Sequence, residues 1–179
     1  MAFELIGDIV IGIDPGTELT GYGIIRENDG ILSLMEAGVI RSGGQELSEK
    51  LYIIYKELIT IIKEFKPNRM AVEELYAHYN HPKTSIIMGH ARGVILLAGA
   101  NSGLRVRSYP STEIKKVITG RGRASKEKVQ AMVIRILGLE SPPKYYDITD
   151  ALAAALTDIR YHRKFDLELT SVKDFRVRR

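Results

Sequence analysis

The chain of 179 residues contains no cysteine. Disulfides and thiolate metal sites are therefore excluded. No apolar run reaches the length of a membrane span before charge or glycine breaks it. The opening stretch MAFELIGDIVIGIDPG has neither the basic start nor the long apolar core of a secretion signal. The expectation is a cytoplasmic protein that makes no use of a membrane. Internal repeats, low-complexity segments and interdomain linkers are also absent, and the length suits one domain with a real core. That domain is expected over residues 1–164. Residues 165–179 show no clear period and are expected to form a loosely ordered tail.

Charge is unevenly spread. Residues 1–75 hold 7 Lys/Arg and 13 Asp/Glu, whereas residues 76–128 hold 10 Lys/Arg and 2 Asp/Glu. A basic middle beside an acidic first part suggests a surface for a polyanion and a separate place for carboxylates.

Periodicity predicts three strands first: DIVIGID, YGIIRE and GILSLMEAGVI, with Asn28-Asp29-Gly30 as a hairpin turn. Apolar residues three or four apart then predict a helix from about Ser48 to Phe65, which Pro67 ends. A short strand NRMAVEEL, an apolar helix TSIIMGHARGVILLAGAN and a strand LRVRSYP follow. Three helices close the chain, the last of them in YDITDALAAALTDI. This order implies an α/β fold on a mixed sheet: a three-strand meander, then strands reached through helical crossovers.

Asp14 ends the first strand and Glu73 the fourth, and strand ends are where α/β folds assemble sites. Asp147 and Asp150 stand one turn apart on the last helix, so they share a side. Asp147 could instead be an N-cap, with Asp150 in the dipole-favoured first turn. If the helix crosses the sheet, four carboxylates meet, and such a cluster needs cations. All-oxygen ligands without cysteine suit Mg²⁺ or Mn²⁺ rather than zinc. Two such ions, about 3.5–4 Å apart, are the apparatus for in-line attack of water on a phosphodiester. Glu74 adjoins Glu73, and the pattern alone does not say which faces the site. Asp158 lies eight residues beyond Asp150, roughly 12 Å along the axis, and is expected to fall outside a shared cluster.

The blocks IGIDPGTELTGYGII, AVEELY, ARGV, TGRGRASKEKVQAMV and DITDALAAAL together resemble the RuvC family of Holliday-junction resolvases. The resemblance runs from about Asp8 to Arg160. It implies a ribonuclease H-like mixed five-stranded sheet with helices on both faces. The activity it implies is metal-dependent resolution of four-way DNA junctions by paired, symmetric nicks, with two Mg²⁺ per site and Mn²⁺ able to substitute. Asp14, Glu73, Asp147 and Asp150 become the catalytic, metal-binding set, with Glu73 preferred over Glu74. The resemblance also implies that Lys115 and Lys126 contact phosphates, and that Tyr76 stacks on an unpaired base where phenylalanine is usual. His90 stands where glutamine is usual. Implied partners are four-way junction DNA, a second copy of the chain and a branch-migration complex.

Other features bear on the same reading. TGRGRAS forms a basic loop whose glycines let the backbone approach phosphate, with Arg121 and Arg123 as DNA contacts, and Ser125 caps the next helix. Tyr79 is a second aromatic in the loop after Glu73, while His78 and His81 lack a third zinc ligand nearby. In SIIMGHARGVILLAGA the apolar residues exceed one stripe, and Gly89, Gly93 and Ala100 would admit another backbone, so this helix is the expected homodimer interface. IGIDPGT also resembles the first phosphate loop of sugar kinases and actin, but the chain lacks the duplicated domain those proteins need. A catalytically silent DNA-binding module is the other alternative, and four uncompensated carboxylates argue against it.

Overall fold

The chain begins as an antiparallel meander and finishes as a helical layer. A computed structural model describes residues 7–44, 46–75 and 82–173. Strands β1 (Asp8–Asp14), β2 (Leu19–Asn28) and β3 (Ile31–Arg41) pair antiparallel. The β2–β3 turn is Asp29-Gly30, with φ of 49° and 89°. Two positive φ values give the turn the twist that a two-residue hairpin needs. Strand β2 starts earlier than its apolar run, because pairing continues from Leu19 to Arg41.

Helix α1 (Leu47–Phe65) then crosses to β4 (Arg69–Glu73), parallel to β1. It ends at Lys66 in the left-handed conformation, just before Pro67. Helix α2 (Pro82–Asn101) crosses to β5 (Arg105–Tyr109), parallel to β4. The sheet order is β3-β2-β1-β4-β5. Helices α3 (Ser111–Thr119), α4 (Lys126–Leu137) and α5 (Tyr146–Lys173) complete the fold. The expected mixed five-stranded sheet with helices on both faces is the one observed.

Alternation divides the core into two layers. Ile11, Ile13, Ile24, Met70 and Val72 pack with α1 and α2. Val10, Ile25, Ala71 and Tyr109 pack with α3, α4 and α5. The helical backbone of α5 runs on through Lys173, beyond residue 164 where the periodic pattern ends. Neither glycine nor proline occurs after Pro143, so nothing in the local chemistry stops it.

Candidate active site

The sheet rim at the C-terminal ends of β1 and β4 is where the candidate carboxylates gather. Alternation sends Asp14 to the same side as Val10 and Gly12, toward α5. On β4 it sends Glu73 to the side of Ala71, also toward α5. Glu74 has the opposite parity and is exposed. The register thus distinguishes two adjacent glutamates that the sequence pattern left equivalent.

Helix α5 reaches this rim because the sheet beneath it is bare. A Cβ on Gly12 would lie 1.9 Å from the Ala151 carbonyl oxygen, and one on Gly21 would lie 2.0 Å from that of Asp147. Asp14 pairs with Gly21 across β1 and β2. The absent side chains let the Asp147 end of the helix sit against the strand pair that carries Asp14. Ala151, Ala154 and Ala155 are fully buried along the contact. The helix starts at Tyr146, so Asp147 lies inside its first turn and is not the cap.

The electrostatics record how crowded the rim is. Burial, followed by the charges of Glu73, Asp150 and Asp147, pushes the Asp14 carboxyl up to about 8. Burial and Asp150 also raise Glu73, although a hydrogen bond with Ser111 and the charges of Lys126 and Lys115 oppose this. Burial raises Asp150 as well, against the pull of Lys126. Lys126 Nζ stands 3.4 Å from Asp150 Oδ2. Despite the cost of its own partial burial, the surrounding carboxylates raise its pKa. Among the described residues, no three Asp, Glu or His side chains converge tightly enough to enclose one ion. Charge repulsion acts over several ångströms, so the two observations agree: the carboxylates share a rim and a field without meeting at one point. An all-oxygen donor set with this much uncompensated negative charge fits a hard divalent cation.

Lys115 lies on α3 within the field of Glu73 and Asp150. Arg121 and Arg123 are exposed in the α3–α4 connection, whose backbone is tied by Thr119 Oγ1 accepting from the Arg121 amide at 3.2 Å. Ser125 caps α4, accepting from the Lys128 amide. Tyr76, His78, Tyr79 and His81 lie outside the described residues.

Asp158 has a separate setting that sequence reasoning did not find. It is fully buried, accepts from Arg69 Nε at 2.5 Å and accepts from the Tyr109 hydroxyl at 2.7 Å. Arg69 also pairs with Asp8. The network ties α5 to β1, β4 and β5, with Asp8 and Arg69 at the end of the sheet away from the carboxylates and Tyr109 reaching Asp158 from the end of β5 that pairs with Glu73. Eight residues from Asp150, on a helix face whose partner strand begins with Arg69, no sequence pattern marks it.

The sequence profile described as crossover junction endodeoxyribonuclease RuvC matches residues 10–158. The chain belongs to the RuvC family. The crossover junction endodeoxyribonuclease RuvC of Rhodopirellula baltica is 45% identical over 148 residues, spanning 82% of this chain and 83% of that protein. Thermus thermophilus RuvC in complex with Holliday junction substrate superposes with a TM-score of 0.80 at 32% identity, over 88% of this chain and 96% of that one. The yeast mitochondrial Holliday junction resolvase shares the fold, with a TM-score of 0.70 at 12% identity over 95% of this chain and 85% of that one. Nucleases of the RuvC family depend on divalent metal ions. As a RuvC-family member, the chain is an endodeoxyribonuclease that hydrolyses phosphodiesters. No helix among the described residues is long and apolar enough to cross a membrane.

Proposed function

We propose that this chain resolves four-way DNA junctions by symmetric nicking, using Asp14, Glu73, Asp147 and Asp150 to hold two Mg²⁺ ions, with Mn²⁺ as a substitute. The observation that carries this reading is the shared rim: four carboxylates, three of which raise the pKa of the fourth, Asp14, flanked by two lysines. Bound divalent ions supply the Lewis acid that activates water and stabilises the leaving oxygen. The carboxylates fix where that charge sits. Lys126 and Lys115 neutralise the approaching phosphate, which would otherwise be repelled by the same carboxylates. Arg121 and Arg123 extend the cationic surface from the α3–α4 connection, and Tyr76 offers a face for an unpaired base. Hydrolysis breaks one P–O bond per strand and leaves ends that ligase can seal.

Symmetric cutting needs two such sites on one two-fold axis, and one chain supplies one. Helix α2 has the surface for a homodimer. Ala91, Ile95 and Ala98 are buried against the sheet, while Ile86, Ile87 and Leu97 are 62%, 40% and 61% exposed. Gly89 and Gly93 lie between them with open space outside. A two-fold contact through this stripe buries the same patch on both copies. A cytoplasmic setting and delivery by a branch-migration complex complete the reading. Incubation with a four-way junction and a matched linear duplex, with and without Mg²⁺, tests it. Paired nicks in the junction alone, only with the ion, are expected; equal cutting of duplex would refute junction selectivity.

A further inference from the structure

The flank of the rim opposite Lys115 and Lys126 carries a second group of cations and aromatic rings. Arg41 ends β3, and its parity matches that of Gly21 through the Leu19 and Val39 pairings, so it faces α5. Its guanidinium lies 5.1 Å from the centroid of the Tyr145 ring and donates to the Tyr145 hydroxyl. Lys144 Nζ lies 5.5 Å from the centroid of the same ring. Both cations are exposed, and among the described residues neither takes part in an ion pair. Tyr146, the first residue of α5, is 40% exposed and immediately precedes Asp147.

The position of this group is what gives it meaning. Asp14 is paired with Gly21, and Gly21 with Val39, two residues before Arg41. Two strand spacings across and two residues along place the Arg41 backbone roughly 10–12 Å from that of Asp14. The carboxylates therefore lie between two basic flanks: α3 and α4 beyond β4 and β5, and the Arg41 cluster beyond β2. Tyr145 holds two like-charged side chains beside one ring, an arrangement that suits a shared anion better than it suits folding. An exposed ring beside such cations is the composition of a single-strand contact.

We propose that Arg41 and Lys144, braced by Tyr145, grip a phosphate of the scissile strand on the side of the cut away from Lys115 and Lys126, and that Tyr146 stacks on an adjacent base. The strand is then held at two points, with the bond to be cut between them, and its path over the carboxylates is fixed. This rests on the reading of the chain as a junction nuclease, since it is that strand the cluster positions.

Equilibrium binding of a fluorescent four-way junction, without divalent ion and over a salt series, tests the proposal. Arg41→Gln with Lys144→Gln is expected to weaken binding roughly tenfold and to lower the salt slope by about one to two units. Tyr146→Ala is expected to weaken binding by roughly tenfold with little change of slope, because stacking carries no counterion release. If loss of the Arg41 contact lowers the melting temperature, Lys144→Gln alone decides the phosphate contact, since Lys144 only borders the ring. Unchanged affinity and slope in Lys144→Gln would overturn the grip, and unchanged affinity in Tyr146→Ala would overturn the stack. Metal-dependent cutting by the wild-type chain is measured alongside. Cutting by the wild type together with unaffected binding in the variants sinks this proposal and leaves the nuclease reading standing. Absence of wild-type cutting counts against the nuclease reading, while the binding arms still decide whether the cluster grips DNA.

Discussion

Replacing Asp14 by asparagine removes the most strained charge on the rim, so the variant is expected to be more stable than the wild type under one defined condition. Burial and three neighbouring carboxylates push the Asp14 carboxyl up to about 8. In the unfolded chain it titrates near the ordinary aspartate value of about 3.9. Between those values the folded state holds a proton that the unfolded state has lost. Stability therefore falls as pH rises through this window and levels off above about 8. At about 1.4 kcal/mol per unit the upper bound is near 6 kcal/mol. Asp14 is partly exposed, so screening reduces this, and about 2 kcal/mol is a reasonable expectation. For a chain of this size that is roughly 4–8 °C in melting temperature. Asp14→Asn in chelator should thus melt about that much higher than wild type at pH 8. The gap should close as pH falls toward 5, where Asp14 is largely protonated. Saturating Mg²⁺ or Mn²⁺ at pH 8 should reverse the order, since ligand at a hundredfold excess over Kd adds about 2.7 kcal/mol to the form that binds it. The variant, with a neutral and poorer ligand, should gain less and should not cut junctions. Thermal melts over pH 5–8.5, with chelator and with metal, read all of this. A variant less stable than wild type at pH 8 in chelator, or a gap that does not change with pH, would refute the reasoning.

Lys126→Ala and Lys115→Ala should each lower the salt slope of junction binding by about one unit if each neutralises one phosphate, as a salt series would show. Gly12→Ala places a methyl against the Ala151 carbonyl, so α5 must shift; cutting should fall roughly a hundredfold, as misplacement near 1 Å can do, while junction affinity in gel shift holds. Arg69→Met leaves Asp158 buried with its charge uncompensated, and urea titration should show a loss of about 3–5 kcal/mol, with partial recovery in Arg69→Met/Asp158→Leu. Leu97→Glu should convert a dimer to a monomer in sedimentation without loss of helical signal; a wild-type chain that sediments as a monomer at micromolar concentration would remove α2 as an interface.

How much of this could be read before the fold was known depends on the range of the interaction. The Asp29-Gly30 turn, the Lys66 and Pro67 helix stop and the Ser125 cap are chemistry within a few residues, and periodicity and turn residues announce them. Asp14 and Glu73 are legible for a related reason: each ends an apolar strand, and a carboxylate there has no structural use that the strand itself needs. The choice between Glu73 and Glu74 was not legible from pattern, because it depends on which side of β4 meets α5. That follows from Ala71 sharing a core layer with Val10, a fact of register rather than of local sequence.

The Arg69–Asp158 pair and the Arg41–Tyr145 cluster were invisible for a stronger reason. Each joins residues about a hundred positions apart, and neither partner breaks the pattern of its own element. Their placement nevertheless explains the rim. Helix α5 is held near its middle by the buried ion pair of Asp158 with Arg69 and near its start by close contact of Ala151 with the bare backbone of Gly12, so its register on the sheet is set by residues outside the carboxylate set. The first turn, with Asp147 and Asp150, then projects over Asp14 without needing any attraction between the carboxylates themselves. This division is what allows four repelling groups to share a rim: the contacts that fix their positions are made by other residues. A fold that relied on the site to hold its own helix in place would come apart when the charges were uncompensated. Here, the repulsion at the rim is expected to lower stability by a few kcal/mol while leaving the helix in position to receive a cation.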